Sequence, residues 1–303
     1  MLDIDIYVNV GRWGYNEKIG RNKADSNSGQ MGSDMKIGII GVGHIGETLT
    51  RKLSSAGHAV KVANSRGPET IGAEVLAGGA EAVTAGEAVR DVDVAILSIP
   101  LNRMPQIATT IAGAAPETIV IDTSNYYPVR DSKVEAIDAG QVESLWVTEQ
   151  LGRPVVKAWN AIGSASLAEK GEPAGGADRI AIPVAADDPT HRQIGMDLVS
   201  DTGFDGFDAG RLADSWRQQP GAPAYCTDLT SEELPEALAS AQAERLPKRR
   251  DIAVAAFAER AGDSTTNPDS SFGVRLSRVL FKETGLSGRQ GSTRSRVMVT
   301  NCM

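Results

Sequence analysis

Apolar positions along this chain gather in short runs separated by longer amphipathic stretches. Lys36–Ile40 opens the series, and His58–Ala63, Glu81–Thr84, Asp93–Pro100, Thr118–Asp122, Pro154–Asn160, Ile180–Ala185 and Phe204–Asp208 follow it. Runs of this length, bounded by glycine, proline and polar turns, predict strands. Between the first two, Ile45, Leu49 and Leu53 recur every fourth residue and Gly57 follows, which predicts an amphipathic helix with a glycine stop. A short helix is expected from Pro68 to Leu76, and another over Pro189–Thr202 with Ile194, Leu198 and Val199 on one side. Strands alternating with helices imply an α/β fold, a doubly wound and mostly parallel sheet of about eight strands. From Arg211 the texture changes. Thr230-Ser231-Glu232-Glu233 reads as a helix start, and 231–246, 248–261 and 273–284 read as helices around a Pro- and Ser-containing loop at 263–271.

The junction of the first strand and helix carries the chemistry. Gly41-Val42-Gly43-His44-Ile45-Gly46 follows the strand at once and opens the helix. This is the glycine pattern of a Rossmann dinucleotide site: one glycine turns the chain, one admits the pyrophosphate, one lets the helix pack. The free N–H groups and positive dipole end of the helix favour an anion. Glycine is common in this chain, at 32 residues, so the flanking strand and helix are what make the motif informative.

The end of the second strand names the cofactor. NAD sites commonly place an acid there to hold the ribose 2′-hydroxyl. Here stand Asn64, Ser65 and Arg66, and no acid occurs between Glu47 and Glu69. Arg66 can grip a 2′-phosphate by charge-assisted hydrogen bonds and stack on the adenine. NADP(H) is therefore the expected cofactor. Ser98, Ile99 and Pro100 end the neighbouring strand, where open α/β sheets bind ligands, and are expected near the nicotinamide.

Composition narrows the class. With 41% hydrophobic residues over 303 positions the chain can bury a substantial core, and its net charge of −8 argues against nucleic acid as a partner. Cys226 and Cys302 are too few for a disulfide framework, and neither they nor His44, His58 and His191 show metal spacing. A reducing cytoplasm, no membrane partner and no metal site are the expectations. The expected organisation is a disordered leader over 1–34 with Met35 as the natural start, an NADP-binding domain over 35–217, a small helical C-terminal appendage over 218–284, and a disordered tail over 285–303. Such an appendage suggests a homodimer.

Four ordered segments carry a resemblance. They are Ile40–Gly46, Asn64-Ser65-Arg66, Leu97-Ser98-Ile99-Pro100, and Ile182–Asp188 continuing to Asp208-Ala209-Gly210. Together they make residues 36 to about 217 similar to the deazaflavin-dependent NADP reductases, a family related to the cytosolic reductase domain of transmembrane metalloreductases. The resemblance implies that Gly41–Gly46 hold the pyrophosphate, that Ser65 and Arg66 hold the 2′-phosphate, and that Ile99 and Pro100 lie by the nicotinamide. It also implies that Trp159, Asn160 and Ser164 line the reaction crevice, and that 8-hydroxy-5-deazaflavin or a flavin is the second substrate. The glycine turn departs from archaeal members, which often carry Gly-x-x-Gly-x-x-Gly with a Thr. The N-terminal pattern also resembles the cofactor domain of pyrroline-5-carboxylate reductase, and Gly221–Tyr225 is similar to an element of its helical domain, although Thr227–Glu233 is too polar for a buried dimer helix.

Hydride transfer to a flat ring requires mainly orientation, so no side chain is expected as a catalytic acid. Asn160 and Ser164 are candidates to orient the ring, and Trp159 either stacks on it or packs in the core. Trp216 and Arg217 lie within reach of the same crevice. Arg103, Arg130, Arg153 and Lys157 are candidates to meet an anionic tail. Three functions stay open: an NADPH-linked reductase of a deazaflavin or similar carrier, an imine reductase of the pyrroline-5-carboxylate type, and a non-catalytic NADP(H) sensor.

Overall fold

A computed structural model describes residues 34–176, 178–261 and 270–282. The expected leader before residue 34, the expected tail and most of the loop 263–271 lie outside the described residues.

Eight strands form, as the apolar runs predict, but the sheet contains six of them. β1 (Lys36–Ile40), β2 (Ala59–Ala63), β3 (Glu81–Ala82), β4 (Val94–Leu97), β5 (Ile119–Asp122) and β6 (Val156–Lys157) line up in the order β3-β2-β1-β4-β5-β6, every pair parallel. This is the strand order of dinucleotide-binding Rossmann folds. β7 (Ala181–Val184) and β8 (Asp205–Asp208) form a separate parallel pair. The expectation of one sheet of about eight strands is corrected here. The cause is local: β6 is two residues long and meets the next strand through one antiparallel bridge, Lys157 to Ala185. Trp159 then takes a left-handed φ of 55° and turns the chain away.

Side chains alternate between the two faces of the sheet, as a two-residue period requires. On one face Ile37, Ile39, Val94, Ile96 and Ile121 pack with Leu49 and Leu53 of the first helix, α1 (His44–Ser55), and with Leu198 and Val199 of the helix Pro189–Asp201. On the other, Ile40, Ala95, Leu97 and Val120 meet Met104 and Ile111 of the helix Met104–Ala112 and Trp146 and Val147 of the helix Glu143–Leu151. Helices therefore cover both faces, and the polar loops are confined to the sheet's two ends.

The expected helix from Pro68 to Leu76 is two pieces, a 3-10 turn at Pro68–Thr70 and a helical turn at Ala73–Leu76. Buried, β-branched Ile71 is extended between them. Beyond β8 the chain is helical, with helices over Leu234–Ala239, Leu246–Ala261 and Ser270–Phe281: the first is much shorter than the expected 231–246, and the other two begin earlier than expected. Residues 231–233 form a hydrogen-bonded turn before the helix, with Thr230 N donating to Glu233 Oε2 at 3.2 Å. A cluster of Ala161, Ala222, Tyr225, Leu246, Ala253 and Phe281 joins these helices to the loop after β6. Among the described residues no helix is long and apolar enough to cross a membrane.

One buried ion pair pins β5 to β6. Lys157 Nζ lies 2.8 Å from Asp122 Oδ2, both side chains fully buried, and it also donates to the Ser124 carbonyl. Removing one partner of such a pair costs about 3–5 kcal/mol because the other charge is left buried. Lys157→Met should show a loss of that size in urea unfolding, and the double change with Asp122→Asn should recover part of it.

Candidate functional site

The register of the sheet builds the site. Ile40 lies opposite both Ala63 and Leu97, Leu97 opposite Asp122, and Asp122 opposite Lys157. Five strands thus end level, and the loops beginning at Gly41, Asn64, Ser98, Thr123 and Ala158 leave from one edge. The strand order reverses between β1 and β4, the switch point where such sheets bind ligands.

Two glycines of the turn are there for contact with the protein itself. Gly41 has a φ of 111°, and a Cβ on it would come within 2.0 Å of the Ser98 carbonyl oxygen. A Cβ on Gly46 would come within 2.0 Å of the Gly41 carbonyl oxygen and 3.1 Å of the Ser98 Cβ. Gly43 differs: its φ is −72°, and a Cβ on it would meet nothing within 4 Å. It is the N-cap of α1, and no side chain caps that helix. Among the described residues the first turn, with Val42 and Ile45 beside it, therefore meets open space over Gly43, which fits the close approach of a pyrophosphate. Glu47, the acid of this turn, is drawn along the helix toward Arg51 at 3.8 Å.

The loop after β2 is organised by Asn64. Its Oδ1 accepts from the backbone N–H groups of Arg66 and Gly67, each at 2.9 Å, and its Nδ2 donates to Thr70 Oγ1 at 2.8 Å. Ser65 and Arg66 are left exposed, and Arg66 forms no ion pair among the described residues. An exposed, unpaired guanidinium at this strand end fits a 2′-phosphate.

After β4, Ser98 N–H makes the last ladder bond, to the Ile40 carbonyl at 2.8 Å. Ile99 Cγ2 lies 3.1 Å from where a Gly41 Cβ would stand, so it covers the glycine turn, and Pro100 is exposed beside it. Ser98 and Ile99 thus lie against the glycine turn. Of the four cations considered for an anionic tail, Arg103 sits just beyond Pro100, exposed and without an ion pair among the described residues. Arg130 is committed to Asp131 and the Asn125 carbonyl, Arg153 to the carbonyls of Ala115, Pro116 and Thr118, and Lys157 to Asp122.

The crevice residues expected after β6 are placed differently. Trp159 is 1% exposed and packs in the core beside Leu167 and Phe204, with its indole N–H on Thr202 Oγ1 at 3.3 Å. It is a core residue, and the stacking role is withdrawn. Asn160 is buried. Its amide group donates to Asn125 Oδ1 and the Gln218 carbonyl and accepts from Gln218 Nε2, at 3.1, 2.8 and 2.9 Å. It ties three segments together, with both amide protons committed to the protein. Ser164, in the first turn of the helix Ser164–Glu169, is half-buried, and its hydroxyl makes no hydrogen bond among the described residues. Trp216 is stacked by Arg217, which also donates to the Leu238 carbonyl, so both belong to the C-terminal packing.

Sequence reasoning missed the ionisable layer beneath this edge. Glu143 is buried and accepts the Tyr126 N–H at 3.1 Å; burial raises its pKa to about 7, against the opposing pull of the Lys157 charge. Tyr127 and Tyr225 share a hydrogen bond of 2.7 Å between hydroxyls, and burial raises both above the ordinary tyrosine value. Burial likewise lifts the Cys226 thiol to about 12. Glu143 is the first residue of the helix Glu143–Leu151, where an acid is ordinary, and the two tyrosines are 98 residues apart, so no local pattern marks them.

A level sheet edge, a glycine turn pressed to the strands and an exposed arginine at the second loop are the features of a dinucleotide-binding Rossmann module. Residues 36–126, from β1 to just past β5, match the model of the family described as NADP oxidoreductase, coenzyme F420-dependent. The Escherichia coli K12 protein YjhV is 52% identical over 56 residues, 18% of this chain, and the matched stretch spans 41% of YjhV. The structure of the hypothetical protein SMa0349 from Sinorhizobium meliloti is 28% identical with a TM-score of 0.56, over 65% of this chain and 95% of that one. A structure from Arthrobacter sp. FB24, described as a candidate F420-dependent NADP reductase, aligns at 16% identity and a TM-score of 0.49, over 77% and 96% of the two chains.

Two expectations follow from this geometry. Gly41→Ala should destabilise the fold by about 3 kcal/mol or more, since strain and overlap combine. Gly43→Ala should change stability by less than about 0.5 kcal/mol yet weaken NADPH binding; unfolding and titration calorimetry on both variants check the split. For Glu143, the folded pKa near 7 lies above the ordinary 4.5, so between these values the folded state holds a proton that the unfolded chain has lost. Its contribution to stability is therefore present at low pH and is lost as pH rises toward 7. Glu143→Gln should flatten that decline in thermal unfolding measured from pH 5 to 8.

Proposed function

We propose that this protein transfers hydride between NADPH and a small, flat redox carrier, a deazaflavin or a flavin. The observation that carries the reading is the single sheet edge on which the open Gly43 turn, the acid-free loop bearing Arg66, and Ile99-Pro100 stand together. The preference for a deazaflavin is supported by the family description, which names coenzyme F420.

Bound NADPH supplies the hydride from its nicotinamide ring. The amides of Gly41–Gly46 hold the pyrophosphate, and Ser65 and Arg66 grip the 2′-phosphate. Ile99 and Pro100 form an apolar rim that keeps water from the ring. Arg103, beside that rim, is the cation placed to meet an anionic tail on the carrier. Transfer between two flat rings needs them held close and parallel, about 3–3.5 Å apart, more than it needs an acid.

The Tyr127–Tyr225 hydroxyl pair favours one second reading. It offers a neutral O–H donor at the seam between the β5 loop and the C-terminal segment, which reduction of an imine would use.

The test is NADPH oxidation with a deazaflavin, FMN, ferric chelate and pyrroline-5-carboxylate in parallel. Turnover with the deazaflavin or FMN is expected. Turnover with pyrroline-5-carboxylate alone, lost in Tyr225→Phe, would select the second reading, and tight NADPH binding with no turnover would mark a sensor. Arg66→Ala should weaken NADPH by about 2 kcal/mol, the scale of a charge-assisted hydrogen bond, and barely change NADH; equal weakening of both would overturn the 2′-phosphate assignment.

A further inference from the structure

We infer that Asn64 is a positioning residue for cofactor choice, acting through the loop it closes and not through contact with the cofactor. The inference rests on the NADP(H) reading above. Asn64 stands at the end of β2, where NAD sites commonly carry an acid for the ribose 2′-hydroxyl. An asparagine there has the shape of that acid without its charge.

Its hydrogen bonds show what it does instead. Oδ1 spends both lone pairs on the N–H groups of Arg66 and Gly67. Nδ2 spends one proton on Thr70 Oγ1, and Thr70 in turn donates from Oγ1 to the Gly67 carbonyl at 2.8 Å and from its backbone N–H to the same oxygen at 3.1 Å. The side chain thus closes a small ring over residues 64–70, a turn of the kind asparagine and aspartate form with the backbone two or three residues on. Gly67 sits inside the ring at a φ of 107°. Asn64 has no acceptor left to meet a ribose hydroxyl. The ring fixes the backbone that carries Ser65 and Arg66 and leaves both side chains exposed.

The shape and the charge of this side chain then have separable consequences. Asn64→Asp keeps the acceptor for the two N–H groups and places a negative charge beside a 2′-phosphate. Asn64→Ala removes the ring and adds no charge. The experiment is direct titration of NADPH and NADH to the full chain carrying each substitution, with Arg66→Ala as the reference for the phosphate contact. Asn64→Asp is expected to lower the NADPH-to-NADH affinity ratio about tenfold or more, through repulsion of the extra phosphate. Asn64→Ala is expected to weaken NADPH about three- to tenfold, the value of one or two neutral hydrogen bonds, with a smaller effect on NADH. Thermal unfolding of each variant separates a loosened loop from an unfolded chain. Ratios within twofold of the parent in both Asn64 variants, with Arg66→Ala still selective against NADPH, would overturn the inference while leaving the NADP(H) reading intact. An unchanged ratio in Arg66→Ala would instead overturn that reading.

Discussion

Three backbones meet within a few ångströms at the end of β1. The Gly41 carbonyl lies where a side chain on Gly46 would be, and the Ser98 carbonyl lies where a side chain on Gly41 would be. This contact fixes the first turn of α1 against the ends of β1 and β4 at once. Much of the site depends on it. The helix N-terminus can face a pyrophosphate only because the helix is seated this closely, and Ile99 can cover the turn only because β4 ends level with β1. A methyl group at either glycine would separate the parts.

The rest of the edge is held by polar groups that the protein has removed from use. Asp122 and Lys157 neutralise each other in the interior, and Asn125, Asn160 and Gln218 exchange amide hydrogen bonds across three segments. Tyr127 and Tyr225 bind one another. These are buried polar groups whose partners make them cheap to bury and rigid. The consequence is a division of labour along one edge. Toward β2 the loops expose their cation and open amides; toward β6 they are closed and committed. A cofactor with a charged adenosine end and a flat nicotinamide end suits that gradient.

Much of the fold was legible in the sequence because it rests on local pattern. The apolar runs located every strand, and the four-residue stripe of Ile45, Leu49 and Leu53 located α1, since each needs only the period of its own backbone. Errors came where a local signal met a tertiary limit. The run Pro154–Asn160 looks like a full strand, but two of its residues pair in the sheet. Trp159 and Asn160, which read as crevice residues, are drawn into the core and into an amide cluster. Lys157, read as a tail cation, is buried with a carboxylate 35 residues away. Nothing near these residues in the chain announces their partners.

The sequence by itself determined the glycine turn, the helix start and the acid-free loop ending in Arg66, because these are properties of consecutive residues. Only the tertiary structure decided the rest: which glycines press against the strands and which faces open space, what Asn64 holds, and which polar side chains are committed to partners. Those questions turn on distances between residues far apart in the chain. The register of a parallel sheet sets such distances, and a linear pattern of apolar and polar positions contains the period of each strand but not its alignment with the next.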